Sequence, residues 1–160
     1  MHWYQQAADQ GYADAQFCLG FAYKYGEGVE PSDEEAVHWY RQAADQGVAD
    51  AAQSCLKVEA AIAADAQFCL GVAYEDGKGA EQSNEGAVHW YRQAADQGHA
   101  AAQFCLGFAY ENGRGVEQSN KGAVLWYRQA ANQGDADAAP FCLEVEAAIA
   151  AAEAKAAENK

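Results

Sequence analysis

One ten-residue block recurs four times: "HWYQQAADQG" from His2, "HWYRQAADQG" from His38 and again from His89, and "LWYRQAANQG" from Leu125. The steps between the four starts are 36, 51 and 36 residues. A chain that repeats itself at such a period cannot bury its apolar surface one unit at a time, so neighbouring units must stack on each other. A second block alternates with the first: "ADAQFCLGFAYKYGEGV" from Ala13, "ADAQFCLGVAYEDGKGA" from Ala64 and "AAAQFCLGFAYENGRGV" from Ala100. Each repeat thus has two halves. High alanine content and only two prolines in 160 residues make both halves helical.

The first half is predicted to run from Ala13 to about Tyr25 and to stop at Gly26, because glycine just past a helix can take the left-handed conformation. The second half starts near Ser32 or Asp33, both good N-caps with Glu35 shortly after, and ends at Gly47. Leu19, Gly20 and Tyr23 share one face of the first helix, and Ala36, Tyr40 and Ala43 share one face of the second. Small residues let the two helices approach closely, and the large ones fill the remaining space.

The combination A-D-A-Q-x-x-L-G-x-x-Y-x-x-G-x-G-V, followed by A-x-x-W-Y-x-x-A-A-x-Q-G, resembles the Sel1-like repeat, a relative of the tetratricopeptide repeat with a longer interhelix loop. The likeness covers nearly the whole chain in three nearly full copies. It implies an all-α fold, a right-handed α-solenoid of antiparallel helix pairs that serves as an adaptor or scaffold between other proteins. It does not imply an enzyme.

The irregular step of 51 residues is 36 plus 15, and its origin is "SCLKVEAAIA". Aligning Cys55 with Cys18 puts Lys57 in the place of Gly20 and Ala60 in the place of Tyr23, and the glycine-rich loop is absent. The same aborted unit recurs at the C-terminus, where residues 138–150 match residues 51–63 and Glu144 takes the glycine position. A charged side chain there blocks close packing of a following helix, as a solenoid end requires. The chain is therefore expected to be one helical repeat domain, 1–160, with sub-arrays 2–63 and 64–160. Cap-type helices lie near 51–63 and at the C-terminus, where "AAEAKAAENK" continues as a polar helix. Either one helix runs from about Ala49 to Asp76, or Asp65 acts as an N-cap and breaks it.

Several residues invite a chemical reading. Cys18, Cys55, Cys69, Cys105 and Cys142 occupy one repeat position, just before a core leucine, and read as small buried hydrophobes with slow thiols. A cysteine-rich branch of the resembled family implies a disulfide within each repeat, but its second position is alanine here (Ala8, Ala44, Ala95, Ala131). Five unpaired thiols point to a reducing, intracellular compartment, cytoplasm or an organelle interior. Ser54 to Lys57 spells S-x-x-K without the S-D-N or K-T-G that would accompany a penicillin-type nucleophile. His2, His38 and His89 lie a full repeat apart, too far to share a metal, and Leu125 replaces the fourth. The glycine pairs follow helices, not strands, and are turns, not phosphate loops. No catalytic residue, cofactor or metal is expected.

The net charge is 10 minus 24, or −14, which disfavours nucleic acid and anionic membrane surfaces and favours a basic protein or peptide partner. No run approaches 18 apolar residues, and the N-terminus has no basic segment followed by an apolar one, so the chain reads as soluble, without membrane insertion or export signal. It starts in mid-pattern, which fits a longer parent.

With Leu19, Gly20 and Tyr23 facing the second helix, Phe17, Phe21 and Tyr25 turn toward the concave side that such solenoids use for binding. Asp14 and Lys24 turn with them, and the counterparts of Asp14, Phe17, Phe21, Lys24 and Tyr25 are Asp65, Phe68, Val72, Glu75 and Asp76, then Ala101, Phe104, Phe108, Glu111 and Asn112, with Phe141 and Val145 in the terminal copy. This phenylalanine ladder with carboxylate margins suits a peptide or an amphipathic helix with basic flanks. The alternatives are rings that only wedge between neighbouring first helices, and a chain that is a permanent structural subunit of a larger assembly.

Overall fold

The structure, a computed structural model, describes residues 2–158. It contains eight helices and no strand among the described residues: α1 (His2–Asp9), α2 (Ala13–Tyr25), α3 (Asp33–Asp45), α4 (Ala49–Asp76), α5 (Asn84–Asp96), α6 (Ala100–Asn112), α7 (Asn120–Asn132) and α8 (Ala138–Glu158). No helix among them is long and apolar enough to cross a membrane. Asn159 and Lys160, the end of the expected C-terminal helix, lie outside the described residues.

Two compact units divide the chain, Met1–Ile62 and Ala63–Lys160. The first contains α1, α2, α3 and the first part of α4; the second contains the rest of α4 and α5 to α8. Asp65 starts no helix, because α4 is unbroken through it.

Local chemistry fixes each helix end. Gly26 and Gly113 close α2 and α6 in the left-handed region, at φ 71° and 66°, and their amides donate to Ala22 and Ala109 carbonyls. Ser32, Ser83 and Ser119 cap α3, α5 and α7, each hydroxyl accepting from the amide three residues on. The same serines donate their amides back to the carbonyls of Tyr23, Tyr74 and Tyr110. These bonds fold every first helix against its second. Asp135 caps α8 by accepting from the amides of Asp137 and Ala138, both at 3.1 Å.

A glycine on a tyrosine ring seals each helix pair. A Cβ on Gly20 would sit 2.5 Å from Cδ1 of Tyr40, and one on Gly107 2.5 Å from Cδ1 of Tyr127; Gly71 faces Tyr91 in the same way. The leucine that precedes this glycine in every repeat sets the adjoining face. Leu19 lies between Ala8 of α1 and Trp39 of α3, and Leu106 lies with Ala94 and Ala95 of α5, with Trp126 of α7 against the same cluster. Both leucines are 0% exposed. Leu70 has a second helix after it but none before it within its unit, and is 42% exposed. Leu56 and Leu143, on the two cap helices, have a helix before them and none after, and are 66% exposed.

A polar staple sits beside this core and was not anticipated from the sequence. The buried Gln16 and Gln103 amides donate to the carbonyls of Ala8 and Ala95, while their own oxygens accept from Gln46 and Gln133 at 2.6 Å. Each glutamine thus ties a first helix to the turn before it and to the end of its own second helix.

Candidate functional site

The glycine contact sets the phase of every first helix, and so the direction of the ladder residues. Three positions before the glycine, Phe17, Phe68 and Phe104 are half-buried against Tyr40, Tyr91 and Tyr127, with ring centroids 5.6, 5.7 and 5.4 Å apart. In the second unit Phe104 also meets Phe141 of α8 edge-on at 5.3 Å. Wedging between neighbouring elements is therefore part of what these rings do. One position after the glycine, Phe21 and Phe108 are 42% and 37% exposed, whereas Val72 is half-buried. Tyr25 is exposed and lies 4.5 Å from Phe21.

The expected carboxylates are engaged. Asp65 accepts from Nε2 of His99 at 3.2 Å, and His99 stacks on Phe68 at 4.5 Å while its Nδ1 caps α6 by accepting from the Ala102 amide. Because Nδ1 accepts, the ring proton is on Nε2. Glu111 accepts from the Tyr127 hydroxyl at 2.8 Å. Glu75 does the same for Tyr91 at 2.6 Å and also holds Arg114 at 3.2 Å. Burial and these carboxylates push both phenols well above the usual tyrosine range.

Phe104 and Phe108 flank a cavity of about 240 Å³ in the second unit, floored by Val88 and Cys105 and rimmed by Glu75 and Arg114. The Arg114 guanidinium lies 5.8 Å over the Phe108 ring. Val88, Cys105 and Arg114 were not picked out as site residues from the sequence. A readable signal was the loop residue between paired glycines, which is Glu27, Lys78 and Arg114 in turn.

The shared cysteine position does not give shared burial. All five are free, but only Cys55 and Cys142 are buried; Cys105 is half-buried, and Cys18 and Cys69 are exposed. The two buried thiols point at the carbonyls of Val37 and Val124, 18 residues earlier on the preceding second helix. Eighteen residues before Cys69 falls inside α4 itself, so within its unit no second helix covers it; Cys18 shares a cavity lining with Tyr4 of α1 and is nonetheless exposed. Burial also pushes the Cys105 thiol up to about 11. In the folded protein a maleimide should label Cys18 and Cys69 quickly and the other three slowly, with all five reacting after unfolding without reductant. Uniformly slow labelling would contradict the exposed positions.

Stacked helix pairs of 36 residues, each sealed by glycine on tyrosine, define a helical repeat protein of the solenoid class. The comparisons with known proteins agree with that class. The Sel1 repeat profile matches residues 1–12, 13–48, 64–99 and 100–135, and the chain belongs to the Sel1 repeat family. A Sel1 repeat protein from Oxalobacter formigenes is 34% identical, covering 88% of this chain and 95% of that one, with a TM-score of 0.50. A protective antigen of uropathogenic Escherichia coli strains that displays an SLR fold is 37% identical over 86% of this chain and 26% of its own, with a TM-score of 0.46. Cysteine rich protein B of Helicobacter pylori is 17% identical over 88% and 90%, with a TM-score of 0.49. No curated protein gives a significant match. Sel1-repeat proteins are generally protein-interaction scaffolds and typically not catalysts.

Proposed function

We propose that this chain is a non-enzymatic adaptor that binds a peptide or an amphipathic helix with basic flanks. The binding face is the ladder side of the second unit, Phe68, Val72, Phe104, Phe108 and Phe141, with Asp65 and Glu111 at its margins. Phe17, Phe21 and Tyr25 form the corresponding face of the first unit. The two sub-arrays, 2–63 and 64–160, act as parts of one repeat domain in a reducing compartment.

The observation that carries this reading is the cavity between Phe104 and Phe108, because a concave apolar opening accepts one large side chain of a partner and excludes water around it. Overall acidity then selects among apolar partners for those with basic flanks. A photo-crosslinking amino acid at Phe108 should trap a basic protein, and the same group at Leu125, exposed on α7, should not. Phe108→Ala should weaken that capture by roughly 2 kcal/mol or more, as an anchor does. Asp65→Lys should mainly slow association and change its salt dependence. Equal trapping at both positions would remove the ladder face as the site.

A second reading, a permanent subunit of a larger assembly, is favoured by exposed apolar side chains away from the ladder, among them Trp3, Leu56, Leu125 and Leu143. Trapping concentrated at Leu125 and Leu143, in complexes that survive high salt, would support it over the adaptor.

A further inference from the structure

In the second unit each buried tyrosine hydroxyl is matched by a glutamate 16 residues earlier, Glu75 for Tyr91 and Glu111 for Tyr127. The first unit breaks this pairing. Sixteen residues before Tyr40 stands Lys24, so a donor faces a donor. Tyr40 is still 2% exposed and still seated on Gly20, but its hydroxyl finds no acceptor among the described residues. Lys24 turns instead to Asp33, 2.9 Å away at the start of α3.

A second substitution points the same way. Lys57 of the internal cap corresponds to Glu144 of the terminal cap, so the two tyrosine surroundings differ by charge reversal at both positions: Lys24 and Lys57 near Tyr40, Glu111 and Glu144 near Tyr127. Lys57 has no ion-pair partner among the described residues. Lys24, Tyr25, Tyr40, Ser54 and Lys57 line one cavity of about 310 Å³. Its polar side chains are two ammonium groups, two phenols and an aliphatic hydroxyl, with no carboxylate among them; Asp33, paired with Lys24, does not line it. Two of the ten basic residues of an acidic chain converge on this one opening.

We infer that the Lys24–Tyr40–Lys57 cavity binds an oxyanion carried by a partner peptide, its carboxylate or phosphate oxygens accepting from the ammonium and hydroxyl groups. Donors converge here from α2, α3 and α4, and Asp33 takes only part of the capacity of Lys24, leaving the remaining ammonium hydrogens, the Lys57 ammonium and the Tyr40 hydroxyl for such a ligand. Burial and the neighbouring Tyr25 push the Tyr40 phenol up to about 12, so it remains a donor at neutral pH. The site stands on different residues from the ladder face of the second unit and does not depend on it.

The test uses inorganic phosphate and acetate as probes of the full chain, followed by amide and side-chain NMR shifts at constant ionic strength with chloride as the reference salt. Saturable shifts confined to Lys24, Tyr40, Ser54 and Lys57 are expected, and the probe with the tighter midpoint tells phosphate from carboxylate recognition. Lys57→Glu, which copies Glu144, should weaken binding at least tenfold; Lys57→Gln serves should the reversal disturb folding. Shifts that fail to saturate, that chloride reproduces, or that neither Lys57 variant weakens would overturn the assignment.

Discussion

Gly115→Ala is expected to destabilise the chain by about 2–5 kcal/mol, against about 1–2 kcal/mol for Gly79→Ala at the equivalent turn position. Both glycines have positive φ, 68° and 80°, so both variants bear the cost of a left-handed alanine. Only Gly115 is crowded as well. A Cβ there would run into the main chain of Asn84 and approach the amide nitrogen of Glu85 within 2.6 Å, whereas at Gly79 nothing lies within 4 Å. Main chain at the first turn of α5 cannot rotate away as a side-chain tip can. Urea unfolding of the two variants measures the difference, and equal midpoints would mean that the loop shifts freely off α5.

Gly107→Ala should cost about 1–3 kcal/mol, although alanine is by itself the better helix former. Tyr127, which the new methyl would strike, is 0% exposed, packed beside Phe104 and Phe141, and tethered through its hydroxyl to Glu111. The ring has no open direction. In a double-mutant cycle with Tyr127→Leu the two losses should be clearly less than additive, because shortening the ring removes the collision. Additive losses would show that the methyl is accommodated elsewhere.

Much of this architecture was legible in the sequence because helix ends and helix faces are local properties. The serine caps, the glycine stops and the glycine-tyrosine face all follow from residues on one helix pair, whereas the sequence left Ala49 to Asp76 open between one helix and a break at Asp65, and the structure makes it one helix. What depended on a neighbour was not legible. Cys69 and Cys142 hold the same place in their helices, yet one is exposed and the other buried, since burial there is conferred by the preceding second helix. Gln16 and Gln103 read as surface residues until the Ala8 and Ala95 carbonyls are brought beside them. For the ladder, phase put the rings at one repeat position of each first helix, but Phe17, Phe68 and Phe104 lean on Tyr40, Tyr91 and Tyr127 of the second helices. It could not apportion them between the half-buried Phe104 and the exposed Phe108, because that division depends on Tyr127 and Phe141 from other helices. The tyrosine-acid pairing at 16 residues was present in the sequence, but the spacing crosses a loop and carries no helical periodicity to mark it.

The two cap-type helices leave Leu56 and Leu143 largely open to water. The outer faces of these two helices are therefore not hydrophilic coats. Lys57 and Glu144 stand where the interior pairs have a glycine under a tyrosine ring. Neither cap-type unit carries the packing glycine or the paired glycines of the interhelix turn, so converting one into an interior repeat takes both of these and a second helix that brings its tyrosine.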